Sequence, residues 1–190
     1  MAQYNGYVIV PHNSYQEWRD ATLDNGYNVD YAFGDQCWDF CALLYWQYGL
    51  ILQTGNGTAE GCWRLMRSAN AVPPFTAVFN KNDIKRGDIV VIGPNPYSYA
   101  GHICFADEDY NGTDRLNCLG QNQRGNGSGY PVTVDSINLA YFFGVFRNSN
   151  WQGTPPSEPE TGYNKHRYNF VLFNRRKRQE KWTKKPLRRR

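Results

Sequence analysis

Histidine is scarce in this chain of 190 residues. Only His12, His102 and His166 are present, so a reaction that needs an imidazole has few places to find one. Long apolar runs are missing too: no stretch approaches the roughly 18 apolar residues of a membrane-spanning helix, and no transmembrane segment is predicted. The first residues, Met1 to Gly6, carry no basic region, and the apolar run from Tyr7 to Val10 stops at Pro11, too short for a secretory signal. The expectation is a protein made in the cytoplasm without a signal peptide. The five cysteines, at 37, 41, 62, 104 and 118, are odd in number. They repeat neither a disulfide framework nor the paired Cys-x-x-Cys spacing of a zinc site, and they read as reduced thiols of a reducing compartment.

What is present argues for a globular domain. Hydrophobic residues make up 41% of the chain and aromatic ones 16%, enough to bury one substantial core and too much for a disordered polymer. The net charge of +4 conceals a division: from Tyr163 onward there are 12 Lys or Arg against the single acid Glu180, whereas the preceding residues hold 9 basic and 16 acidic side chains. Residues 1–149 are therefore read as the folded domain, 150–162, rich in Pro, Ser, Thr, Gln and Glu, as a linker, and 163–190 as a basic tail in which Tyr168 to Phe173 can add one strand. The tail's clusters, Arg175 to Arg178, Lys184-Lys185 and Arg188 to Arg190, form either a solvated tail or a salt-sensitive contact to a polyanion such as a wall polymer, anionic lipid or nucleic acid.

Along the chain, helical signals come first. Ser14 and Glu17 have capping-box spacing at the start of a short helix containing Trp18. A second helix is predicted from Asp35 to Tyr48, stopped by Gly49, and Thr58 can cap a third that ends before Pro73-Pro74. Short β-prone runs follow at 88–92, 102–106, 115–119 and 141–146, separated by Gly, Pro and Asn. Helices first and an antiparallel sheet second describe an α+β domain.

The chemistry concentrates at Gln36-Cys37-Trp38-Asp39 and Gly101-His102. A cysteine in the first turn of a helix meets the positive end of the helix dipole and unpaired N–H groups, which favour thiolate and offer donors to an oxyanion, so Gln36 at the helix start is an oxyanion or orienting candidate. An imidazole within reach can take the thiol proton and return one to a leaving amine. Cys37 is the candidate nucleophile and His102, opening an apolar strand after a glycine, the candidate base. A third group should orient the imidazole. If Asn111-Gly112 forms a two-residue turn, the register places Gln121 opposite His102, and a one-residue bulge substitutes Asn122.

In order and approximate spacing, Gln36-Cys37-Trp38-Asp39, the strand Gly87-Asp88-Ile89-Val90-Val91, Gly101-His102-Ile103 and Gln121-Asn122 resemble the CHAP domain, a cysteine- and histidine-dependent amidohydrolase/peptidase module of bacteriophage lysins and bacterial wall hydrolases. The resemblance spans about Ser14 to Arg147. It implies a papain-like α+β fold with N-terminal helices packed on a C-terminal antiparallel sheet, and hydrolysis of peptidoglycan amide bonds. It gives Cys37 the nucleophile role and His102 the base role, and it favours Asn122 as the third residue. The acid often found two positions before that asparagine is here Gly120. Such a protein acts on the wall after release through a lysis pore or as part of a virion. The alternative is a virion structural or wall-binding protein with the same domain. An aromatic cleft is expected, to which Trp38 and Trp63 contribute.

The chemistry itself requires no cofactor. Asn28, Asp30 and Asp39 bracket a loop whose oxygens suit either a hard cation, calcium, or an Asx-rich turn. Some CHAP domains carry acids at these three places, so a structural calcium is a further implication of the resemblance.

Overall fold

A computed structural model of the chain describes residues 12–65, 71–124 and 130–151, together with the backbone of a short antiparallel ladder between β1 (Gln3–Tyr4) and β2 (Tyr7–Val8). The chain divides into two compact units, Met1–Pro155 and Pro156–Arg190, and all described residues belong to the first. The basic tail, its added strand and all but the start of the expected linker lie outside the described residues. Among the described residues no helix is long and apolar enough to cross a membrane.

The three expected helices form. In α1 (Tyr15–Thr22) the Ser14 hydroxyl accepts from the Glu17 N–H at 3.2 Å, while the Glu17 carboxylate reaches back one residue further than a capping box requires and accepts from the Asn13 N–H at 2.9 Å. Helix α2 (Cys37–Gln47) is buried from Asp39 to Trp46, a helix apolar all round and therefore central. Gly49, in the left-handed region at φ +69°, ends it. In α3 (Ala59–Leu65) the Thr58 hydroxyl accepts from the Gly61 N–H at 2.9 Å.

Six strands then make one antiparallel sheet: β3 (Phe75–Val78), β4 (Ile89–Ile92), β5 (His102–Ala106), β6 (Arg115–Gly120), β7 (Thr133–Asn138) and β8 (Phe142–Asn148), in the order β3-β8-β4-β5-β6-β7. The α+β expectation is what the fold shows. It differs in three details. The β1/β2 ladder precedes the helices, and the sheet gains β3 and β7 at its two edges. Asn111-Gly112 is also not a two-residue hairpin turn: Asn111 Oδ1 accepts from the Thr113 N–H at 3.0 Å inside a longer loop over 107–114.

One face of the sheet, through Ile89, Val91, Ile103, Phe105, Leu119 and Phe146, packs against α1, α2 and α3; the other, through Val90, Ile92, Cys104, Cys118 and Val145, is covered by Ile84 and Leu139. Asp88, at the start of the strand that the sequence singled out, is fully buried and joined by both oxygens to the Arg147 guanidinium of β8, at 2.9 and 2.7 Å. That motif residue braces the sheet.

Aromatic rings tie α1 and α2 to the sheet: Trp18 stacks on Phe40 at 5.4 Å, and Phe40 meets Phe105 edge-on at 5.0 Å. Trp151 closes this group, 6.0 Å from Tyr15 and 6.2 Å from Phe105, and donates from Nε1 to the His12 carbonyl at 3.2 Å. It is 5% exposed, so the folded unit extends past the expected boundary at 149. Trp151→Ala is expected to lower the unfolding free energy by about 3–5 kcal/mol, the cost of emptying a large aromatic site. Equilibrium urea denaturation measures it, and an unchanged midpoint would place Trp151 in the linker.

Candidate active site

The site begins with the way α2 starts. Asp39, in the first turn, is 1% exposed and turns its carboxylate back on the loop that precedes the helix. Oδ1 accepts from the Val29 N–H at 2.8 Å and from Asp30 N–H at 3.4 Å, and Oδ2 accepts from the Gln36 N–H at 2.8 Å. One buried acid thus gathers residues 29–36 and fixes the residue before Cys37. The Gln36 side chain donates to the Phe33 carbonyl at 2.6 Å and accepts from Asn122 Nδ2 at 3.1 Å.

The sheet opens to receive that helix end. Strands β5 and β6 pair at Phe105–Leu119 and Ala106–Cys118 and then separate. Beyond the last rung, Gln121 is fully buried and its amide replaces a strand: Oε1 accepts from the Tyr27 N–H at 2.8 Å, and Nε2 donates to the carbonyls of Tyr27 at 2.6 Å and Gln36 at 2.8 Å. Ala106 donates toward β4, to Asp88 O, and Asp107 toward β6, to Asn117 O, so strand alternation turns the Ile103 N–H into the gap. Cys37 fills it.

Cys37 is partly exposed, unlike the four buried cysteines. Burial of its sulfur pushes the thiol up, against the pull of the backbone N–H groups of Ile103, Trp38 and Cys37 itself. Cys37 therefore rests as a thiol, with backbone N–H donors facing its sulfur. His102, next to Ile103 in the chain, pairs with Ile92 at the end of β5. Its Nε2 is buried and has no hydrogen-bond partner among the described residues. Burial holds the imidazole down to about 4, so it is neutral at pH 7 and able to accept a proton.

The observed rungs extend to place Asn122 opposite His102, the bulged alternative of the two registers, but Asn122, in the left-handed region at φ +56°, spends its amide on Gln36. The group beside the imidazole is Gln123, which favours the charged form of His102 without overcoming burial. Gln123 Nε2 anchors the side chain to the carbonyls of Cys118 at 2.9 Å and Thr133 at 2.7 Å. The carboxamide crosses Gly120, where an added Cβ would lie 2.9 Å from Gln123 Cδ. A glycine in place of an acid is the signal for Gln123 that the sequence carried.

The structure also places the other residues singled out. Gly101, at φ +71°, makes room for the Ile92 carbonyl and the Ala59 side chain. Trp63 is buried, and Trp38, half-buried, donates from Nε1 to the Leu52 carbonyl at 3.1 Å. Asn28, Asp30 and Asp39 do share one loop, but the Asp39 oxygens serve backbone N–H groups and Asp30 Oδ1 accepts from Ala32 N–H at 2.8 Å, an Asx turn. Among the described residues no three His, Cys, Asp or Glu side chains are arranged to hold a metal ion. Asp39 itself fixes the helix start.

No protein-family model matches the chain. The chain is similar to a D-alanyl-L-alanine endopeptidase of Streptococcus phage B30, with 30% identity over 164 residues, covering 82% of this chain and 34% of that protein. It thus spans about a third of the length of the curated relative it matches. Its fold is similar to the crystal structure of a wild-type endolysin, LysIME-EF1, with a TM-score of 0.61 and 19% identity over 75% of this chain and 67% of that one. At that identity the likeness is one of fold.

Two groups of the site titrate in opposite senses. His102 falls from 6.5 to about 4, so in that window the unfolded chain holds more protons, and its contribution to stability is lost as pH falls. Asp39 rises from 3.8 to about 6, mainly through burial, so the folded chain holds more protons, and its contribution is lost as pH rises. Relative to the parent between pH 4 and 6, His102→Ala should become more stable on acidification and Asp39→Asn less so. Melting temperatures across the window measure this; slopes of one sign in both variants would contradict the assignment.

Proposed function

We propose that this chain is a phage-type peptidoglycan hydrolase of the CHAP kind, acting as an N-acetylmuramoyl-L-alanine amidase or a peptidoglycan endopeptidase through a cysteine acyl-enzyme. The observation that carries the reading is a buried, unpartnered Nε2 on His102, one residue from the N–H that holds the Cys37 sulfur at a helix start. A polar nitrogen left unpaired in the interior costs free energy and persists where function requires it. Further support comes from a phage relative named as an endopeptidase and from a fold like that of an endolysin.

In the reaction, His102 Nε2 takes the Cys37 proton as Sγ attacks the carbonyl carbon of the wall amide. The carbonyl oxygen becomes an oxyanion facing N–H groups of the first turn of α2 and of Ile103. The C–N bond breaks, the amine leaves with the proton from His102, and a thioester remains on Cys37. Water, activated by the same imidazole, cleaves the thioester and restores the thiol. No step passes through a metal.

Cys37→Ala should reduce clearance of purified sacculi by about a thousandfold or more, as expected for a nucleophile acting together with its base, with little change in melting temperature. Undiminished clearance would end the enzyme reading. Because His102 is held down to about 4, the acidic limb of kcat/KM should lie below pH 5, with activity lost as pH falls through it. Gln123→Ala should lower kcat more than Asn122→Ala and move that limb further down, since it removes a group that raises His102. A limb that stays in place, or the reverse order of the two variants, would return the orienting role to Asn122.

A further inference from the structure

Single exposed apolar side chains are ordinary, but two aromatic side chains held out on one braced turn can make a binding patch. Tyr97 is 97% exposed and Tyr99 89%. Both stand on the segment Gly93–Gly101, which leads directly into His102, and neither hydroxyl bonds to any described residue. Three residues of chain span at most about 11 Å, so Tyr99 lies within that reach of the base.

The support is firmly built. Asn95 and Ser98 exchange both backbone hydrogen bonds at 2.9 and 3.1 Å, and Asn95 Oδ1 accepts from the N–H groups of Tyr97 at 3.0 Å and Ser98 at 3.1 Å. The Ser98 hydroxyl donates to the Gly101 carbonyl at 2.9 Å, and the Ala100 carbonyl accepts from Ala59 N–H at 2.7 Å, pinning the turn to the start of α3. Two tyrosines on a fixed frame offer broad amphipathic faces at small entropic cost, as binding loops do. The segment, Gly-Pro-Asn-Pro-Tyr-Ser-Tyr-Ala-Gly, contains no charged residue.

We propose that Tyr97 and Tyr99 are a stacking platform for a neutral pyranose ring, an N-acetylated sugar of the glycan strand. This rests on the wall-hydrolase reading and names the part of the substrate that the turn recognises. The C–H face of such a ring suits an aromatic face, and its hydroxyl and acetamido groups suit the free phenol hydroxyls. A stem peptide, with its carboxylates and amine, would instead call for charged partners that the turn lacks.

The test is a titration of the full-length Cys37→Ala protein with tri-N-acetylchitotriose and, separately, with a sugar-free stem peptide, followed by nuclear magnetic resonance. Binding is measured without turnover, so its outcome is separable from failure of the hydrolase reading, which the parent's inactivity on sacculi would reveal. Adding Tyr97→Ala or Tyr99→Ala should weaken the oligosaccharide by about fivefold, the scale of one aromatic contact, and Tyr97→Phe should restore most of the stacking. In the otherwise unmodified protein, Tyr97→Ala should raise KM on sacculi and leave kcat within about twofold. Unchanged oligosaccharide affinity in the alanine variants would overturn the platform. An equal loss for the stem peptide would assign the turn to peptide recognition and overturn the sugar proposal.

Discussion

The amide of Gln121 is the interaction on which the site depends. Where β6 would have continued to pair with β5, this buried side chain takes up both backbone groups of Tyr27 and the carbonyl of Gln36. It ends the ladder and ties the approach to α2 into the place of the missing rungs. Without that substitution the Ile103 N–H would be spent on a neighbouring strand, and the helix end would have no opening in the sheet. A buried amide with three satisfied hydrogen bonds is costly to disturb, since removing it would leave several backbone groups unpaired at once.

Around that joint, the electrostatics favour neutral resting partners. Burial raises the Cys37 thiol and lowers the His102 imidazole, so the ground state is thiol and neutral base rather than a thiolate–imidazolium pair. In the proposed reaction, charge would appear only as the attack proceeds, beneath N–H groups that are already oriented. Interactions stronger in the transition state than in the ground state accelerate the chemical step, and this arrangement has that property. The same burial that suppresses charge at rest strengthens those N–H contacts once charge forms.

Much of this was legible in the sequence, and the exceptions have physical causes. Helix starts at Ser14 and Thr58 and the stop at Gly49 follow from local capping chemistry and appear as expected. The strands read correctly, β4, β5, β6 and β8, are internal to the sheet, where burial enriches apolar residues. The two that escaped notice, β3 and β7, are its edges, and β7 is polar at four of its six positions, with no buried residue. Cys37 and His102 stand at a helix start and a strand start, local features that the sequence displays. Gln123 was not legible, because its approach to His102 depends on where β6 ends, on the left-handed turn at Asn122 and on the empty space above Gly120. Trp38 and Trp63 sit in helices packed on the core, whereas Tyr97 and Tyr99 ride on an exposed turn.

The most direct measurement of the central claim is covalent. Reaction with soluble muropeptide, quenched in acid within the first turnovers and followed by peptide mapping in a mass spectrometer, should reveal an acyl group on Cys37 as a thioester, with Cys41, Cys62, Cys104 and Cys118 unmodified. Steady product release with no adduct on Cys37 at any quench time, together with full activity after Cys37 is alkylated, would contradict the account.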